Sequence, residues 1–182
     1  MIVGSTPAVA LAFVALVAPQ QTETPKAPVV IQVSTAGPVT VKSLSIPWGP
    51  NTFMTMESPG DSFYNKRTWA FAQMETTAPL TLYGATIPAG NYALVFHPNT
   101  TENKGMSLEV RRITVAQFLE PGNAMTRTPE GETVWKAPIR FQTSTEVAPA
   151  LKVDVSGPAN GKLSLVVRYG SRTLARELGM GS

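Results

Sequence analysis

The chain has 182 residues, with 15 basic against 12 acidic side chains for a net charge of +3, and it contains no cysteine. The missing thiols exclude disulfides, thiol catalysis, cysteine-ligated zinc and a lipid-modified N-terminal cysteine, and the mild positive charge falls short of the basic stripe that nucleic acid requires. The 16 prolines and 14 glycines, spread among Val, Thr and aromatic residues, favour many short strands punctuated by turns over long helices.

Residues 1–22 carry no charged side chain, and Ala8 to Ala18 is an unbroken apolar run. Such a run is a signal peptide or a retained anchor. No basic residue precedes it, and Pro19 follows the best small-residue end, Ala18, so retention is the expectation. A helix over Pro7–Val17 would present Ala8, Leu11, Phe13 and Leu16 to the bilayer. From Ile2 to Ala18 it would rise about 25 Å, short of a hydrocarbon core of roughly 30 Å, so it suits dipping into the membrane or packing on a partner. Residues 20–28 turn polar and proline-bearing, as an extended spacer does. The chain thus divides into a leader or anchor (1–19), a spacer (20–28) and one domain (29–182).

Within that domain, strands are expected at Val29–Val33, Val39–Ile46, Thr52–Met56, Thr68–Thr76, Leu80–Tyr83 and Asn91–Phe96. The last two are read as a hairpin across Gly84–Gly90, whose glycines supply positive φ where the chain reverses. Met106–Ile113 alternates Met106, Leu108 and Val110 with Ser107, Glu109 and Arg111, which predicts one buried and one wet face. Thr114 reads as the N-cap of a short helix over Val115–Glu120, stopped by Pro121-Gly122. Strands follow at Val134–Phe141, Ala150–Ser156, Lys162–Tyr169 and Arg172–Leu178, with turns at Gly157–Gly161 and Gly170-Ser171. The fold class is all-β: an antiparallel β-sandwich of about 8–10 short strands with one short helix, preceded by the apolar N-terminal helix.

The run Tyr83-Gly84-Ala85-Thr86-Ile87-Pro88-Ala89-Gly90-Asn91-Tyr92-Ala93-Leu94-Val95-Phe96 resembles the G-x-x-(I/L)-P-A-G-x-Y-x-L hairpin of a family of secreted bacterial domains of unknown function, numbered 2911. The resemblance extends over about Leu44–Leu178 and implies a β-sandwich, with no catalytic role established for the family. Its members carry Arg-Thr-Gly-Ala-Asn-Glu after a tryptophan, where this chain has Ala70-Phe71-Ala72-Gln73-Met74-Glu75 after Trp69. No family site transfers.

The reactive inventory is thin. His97 is the one histidine, with no second ligand at metal spacing, and neither a G-x-S-x-G elbow nor an S-x-x-K pair is present. Glu57 and Asp61 share a loop with Ser58 and Gly60 but do not match a calcium loop. No catalytic, cofactor or metal residues are assigned. Among the tryptophans, Trp69 and Trp135 sit in strand patterns and read as core. Trp48 stands in a Pro-Trp-Gly-Pro loop and, with Phe53, Met54, Met56, Phe63 and Tyr64, loads 47–64 with apolar side chains, as partner contacts do. From Leu151 onward Lys152, Lys162, Arg168, Arg172 and Arg176 outnumber Asp154 and Glu177, and Arg168, Arg172 and Arg176 read as a basic face toward acidic headgroups or an acidic partner.

The functional reading is a non-catalytic, membrane-tethered scaffold on the periplasmic side of a bacterial membrane, bracing a multisubunit complex such as a photosynthetic reaction centre with its antenna or a respiratory assembly. It needs no cofactor. Its partners are membrane protein subunits and, through the leader, the lipid bilayer, with no nucleic acid. The alternatives are a free periplasmic module binding a glycan or small ligand through Trp48, and then an uncharacterised hydrolase.

Overall fold

The computed structural model describes residues 30–48, 69–98, 106–113, 131–159 and 162–181. These form ten strands in two antiparallel sheets, with no helix among the described residues. The expected leader helix, the strand at Thr52–Met56 and the helix at Val115–Glu120 lie outside them. One sheet orders six strands as β1 (Ile31–Ala36), β2 (Val39–Leu44), β3 (Trp69–Thr76), β6 (Gly90–Pro98), β7 (Met106–Arg112) and β8 (Thr133–Ile139). The other orders four as β5 (Ala85–Ile87), β4 (Leu80–Leu82), β10 (Lys162–Met180) and β9 (Gln142–Ala159). Val41, Met74, Leu94 and Leu108 of the first sheet and Leu82, Leu151, Val153 and Leu165 of the second belong to one buried cluster. Two sheets closing on a single core fit a β-sandwich.

The alternation read in β2 and β7 places Val39 and Val41, then Met106, Leu108 and Val110, toward that core. The opposite face of the six-stranded sheet is not wet, however. Leu44, Ala70, Ala93, Val95 and Ile113 form a second buried cluster there, and Gln73, Ser107 and Glu109 are also buried. The expected solvent face of β7 is therefore corrected: its central strands are covered on both sides. Burial on two faces also explains why Ala93–Phe96 is continuously apolar rather than alternating.

At one seam between the sheets, the Ser34 hydroxyl donates to the Val155 carbonyl at 3.0 Å and accepts from the Val155 N–H at 2.9 Å. Farther along, Leu151 N–H donates to Ile46 O and Trp48 N–H to Pro149 O, both at 2.8 Å. The chain after β2 thus runs along β9. At the other seam the ring of Tyr83 lies parallel to that of Trp135, 5.8 Å centre to centre.

Three expectations about connections change. First, β4 pairs with β5, with Leu80 opposite Ile87 and Leu82 opposite Ala85, while β6 joins β3 and β7 in the other sheet. The reversal is a two-residue turn at Tyr83-Gly84, with φ of 49° and 81°, the pair of positive angles of a type I′ hairpin. Second, β9 begins at Gln142, not Ala150; its polar first stretch carries no alternation to announce a strand.

Third, Lys162–Met180 is one extended element of 19 residues. Fifteen residues of straight strand would span about 50 Å, yet Lys162 Nζ lies 2.9 Å from Glu177 Oε2, so β10 doubles back. The burial pattern locates the reversal. Leu163, Leu165, Val167 and Tyr169 face the core on odd positions, then Leu174 and Leu178 on even ones, and Gly170 between them has φ 59°. Pairing with β9 runs through the first arm and past Gly170 as far as Arg172 and Thr173, opposite Thr143 and Gln142, and the end of the second arm, Gly179-Met180, pairs with β4. The expected turn at Gly170-Ser171 thus survives as a reversal inside a continuous strand.

Candidate functional site

The reversal of β10 builds a groove of about 480 Å³ on the four-stranded sheet, lined by Thr81, Tyr83, Gly84, Lys162, Ala175, Arg176, Glu177 and Gly179. Pairing of Gly179 with Thr81 fixes the second arm of β10 against β4, so Ala175 and Gly179 supply small side chains along the bottom. A Cβ added at Gly179 would stand 3.3 Å from the Cβ of Thr81, so larger residues would crowd the floor.

Tyr83 forms one wall. It is 70% exposed although it is a large aromatic residue, and it is held from beneath by the parallel ring of Trp135. The Arg176 guanidinium stands 5.8 Å from the centre of the Tyr83 ring, within cation–π range. Its Nη1 donates to the Ala175 carbonyl at 2.7 Å, and its Nε is buried with no hydrogen-bond partner. Across the groove Lys162 and Glu177 form an exposed ion pair, which in water contributes little to stability but offers one donor and one acceptor to a ligand.

A second polar constellation lies on the far face of the six-stranded sheet. Glu109 is 1% exposed. Its Oε1 accepts from Thr133 Oγ1 at 2.6 Å and from Arg111 Nε at 2.7 Å, while Arg111 Nη2 lies 2.6 Å away. Lys136 stands opposite it on β8. Burial pushes the Glu109 carboxyl up, but the hydrogen bonds from Thr133 and Arg111, with the charges of Arg111 and Lys136, outweigh it and hold the group below its ordinary value. A carboxylate so placed keeps no proton to give near neutrality, so it does not suit general acid work. It locks β7 to β8.

The residues singled out from sequence separate in space. Trp48 is half-buried, packed edge-on against Tyr169 at 4.8 Å between ring centres, and the Tyr169 hydroxyl donates to Pro47 O at 2.9 Å. Phe53, Met54, Met56, Phe63 and Tyr64, like Ala8, Leu11, Phe13 and Leu16, lie outside the described residues. Arg168 pairs with Asp154 at 3.0 Å, together with Lys152 at 3.4 Å. Arg172 donates to Thr143. The core-facing positions change from odd to even at Gly170, so Arg172 and Arg176 share the face of Leu174 and Leu178 whereas Arg168 lies on the face opposite Leu165 and Val167, and the three arginines do not form one row. His97 lies within β6, opposite Ser107. Among the described residues no group of three His, Asp or Glu could hold a metal ion.

Sequence reading missed Thr81, Tyr83 and Lys162 as neighbours, because only the doubled strand brings them together. The available signal was Tyr-Gly between Leu82 and Ala85, a two-residue turn with a bulky residue where Asn or Asp is the usual choice. No protein-family model, curated protein or solved structure matches the chain, so its function is argued from its own residues.

Proposed function

We propose that this chain is a non-catalytic accessory domain, tethered at the periplasmic side of a bacterial membrane through its apolar N-terminal segment, that braces a multisubunit membrane complex. A photosynthetic reaction centre with its antenna, or a respiratory assembly, is the kind of host the reading envisages. The observation that carries it is an exposed apolar row at the start of the domain. Ile31 and Val33 are 49% and 61% exposed on the edge strand of the six-stranded sheet, and Val30 just before it is 57% exposed.

Edge strands of free-standing domains are ordinarily guarded by charge or proline. Here Ile31 and Val33 alternate outward while Ser34 ties the other side of the strand to β9. The row begins directly after the spacer that follows the apolar leader, so contact surface and tether belong to the same end of the chain. Lys42, opposite Val33 in the ladder, adds a cation suited to an acidic headgroup or partner. The apolar side chains of Trp48, Phe53, Met54, Met56, Phe63 and Tyr64 would extend the contact from the next connection.

Membrane fractionation followed by native electrophoresis tests the proposal. The full chain is expected in the membrane fraction, migrating with a large complex, and a double change, Ile31→Lys with Val33→Glu, is expected to release it from the complex while leaving it membrane-bound. A wild-type chain recovered as a soluble monomer would sink the reading.

A further inference from the structure

We infer that the groove on the four-stranded sheet is a binding site for a saccharide that carries a carboxylate, a uronic-acid-type sugar. The inference stands on different residues from the accessory role and does not depend on the tether.

Tyr83 is the starting point. Its φ of 49° is the only positive φ at a non-glycine residue among the described residues, and a bulky side chain resists that conformation. Nothing in the packing of the core requires it, since the ring is 70% exposed. Strain retained at an exposed aromatic residue points to a use for its position. Trp135, parallel beneath it, fixes the ring, so a ligand meets a platform already in place rather than one it must order. An exposed, fixed aromatic face suits a partner with a flat apolar face, and the C–H face of a pyranose ring is one.

The surroundings set the rest of the ligand. Ala175, Gly84 and Gly179 keep the floor low, and a Cβ on Gly84 would meet nothing within 4 Å, so a ring can lie close to the backbone. Thr81, Lys162 and Glu177 border the groove with both donors and acceptors, the mixture that sugar hydroxyls satisfy. Lys162 and Arg176 against Glu177 leave one positive charge in excess. No carboxylate pairs with Arg176 among the described residues, and the residue lines the groove with Nη1 on the Ala175 carbonyl. A planar guanidinium matches a carboxylate, and the Nη groups rather than the enclosed Nε would meet it. A single negative charge balances the groove, whereas a doubly charged phosphate would meet Glu177, so the observations favour an acidic sugar over a nucleotide.

Isothermal titration of the full-length chain in mild detergent, with the methyl glycoside of galacturonic acid, the neutral methyl galactoside and adenosine monophosphate, tests this. The acidic glycoside is expected to bind more tightly than the other two. Tyr83→Ala should weaken it by about tenfold, the loss of one stacking contact. Arg176→Gln should erase the preference for the acidic sugar over the neutral one. Ala175→Trp, on the exposed floor, should abolish binding of both sugars while leaving the melting temperature at the wild-type value, which separates a blocked groove from a misfolded one. Absence of binding by either sugar, equal affinity for the two, tighter binding of the nucleotide, or a Tyr83→Ala variant that binds as the wild type does would each overturn the inference.

Discussion

The six-stranded and four-stranded sheets solve the same problem in opposite ways. The larger sheet runs with single-residue register shifts at Ala70/Ala72 and Val110/Arg111, its central strands are covered on both faces, its buried carboxylate Glu109 is held by Thr133 and Arg111, and Gln32, Ser43 and Gln73 keep buried polar atoms without partners. The smaller sheet is built from two three-residue strands and two strands of 18 and 19 residues that shift register repeatedly. Its polar groups include an unpartnered Arg176 Nε, and its largest exposed ring sits on a strained turn. The strained non-glycine turn and the longest register shifts gather in the second, and departures from local consistency tend to collect where a protein does something. The larger sheet is the frame, and the smaller one carries the site.

The sharpest way to break this contrast is at the reversal of β10. A Cβ on Gly170 would lie 2.3 Å from the Trp48 ring, and the φ of 59° disfavours any side chain. Gly170→Val should cost about 4 kcal/mol, combining overpacking with left-handed strain, as read by urea denaturation. If Gly170→Val melts like the wild type, the reversal is not held by that contact.

In the frame, Glu109→Gln should cost about 3 kcal/mol, because it removes the charge of a buried carboxylate to which Thr133 and Arg111 donate. The pH dependence gives an independent readout. The folded carboxyl titrates below its ordinary value of 4.5, so its contribution is present above the unfolded value and is lost as pH falls through the folded one. The wild type should therefore lose stability on acidification below about pH 4.5 more steeply than Glu109→Gln. Parallel acid-side slopes would remove Glu109 from the account.

Trp48→Ala comes next, at about 2 kcal/mol for a half-buried ring in contact with Tyr169. Combined with Gly170→Val, it should cost less than the sum of the two, since removing the ring removes the clash. Additive losses would show that the two residues act separately. The smallest effect is expected at Tyr83→Asn, within about 0.5 kcal/mol of wild type, because Asn accepts the turn angle that Tyr resists and so offsets the lost stacking on Trp135. A loss above about 1.5 kcal/mol would make Tyr83 part of the frame.

What could be read in advance followed the chemistry of each segment. Val39–Leu44 and Met106–Arg112 announce themselves by alternation, and the inward residues are the expected ones. The same alternation misled for Ser107 and Glu109, because period alone says which side chains share a face and not whether that face is covered. Gln142–Glu146 gave no signal, being polar throughout, and Tyr83-Gly84 was absorbed into a longer connection. Of the groove, Arg176 was legible as a basic residue near the C-terminal end. Lys162 was legible in the same way, but Thr81 and Tyr83 were not, and neither was the meeting of all four, since it depends on β10 turning back on itself, a long-range consequence of one glycine.

The two hydroxyls that stitch the sheets together also bear on how quickly the chain can find its fold. Ser34 meets Val155 across 121 residues and Tyr169 meets Pro47 across 122, whereas β9 and β10 are neighbours in sequence. Closing a long loop demands its entropy before any contact rewards it, and non-local pairing slows folding. The β9–β10 unit should therefore gain structure early, with the seam closing in the slow final phase. Pulse-labelled hydrogen exchange can separate the two on a single strand: the Val155 amide, which donates to Ser34, should acquire protection later than the β9 amides that bond to β10. Simultaneous protection would mean that the sheets assemble together.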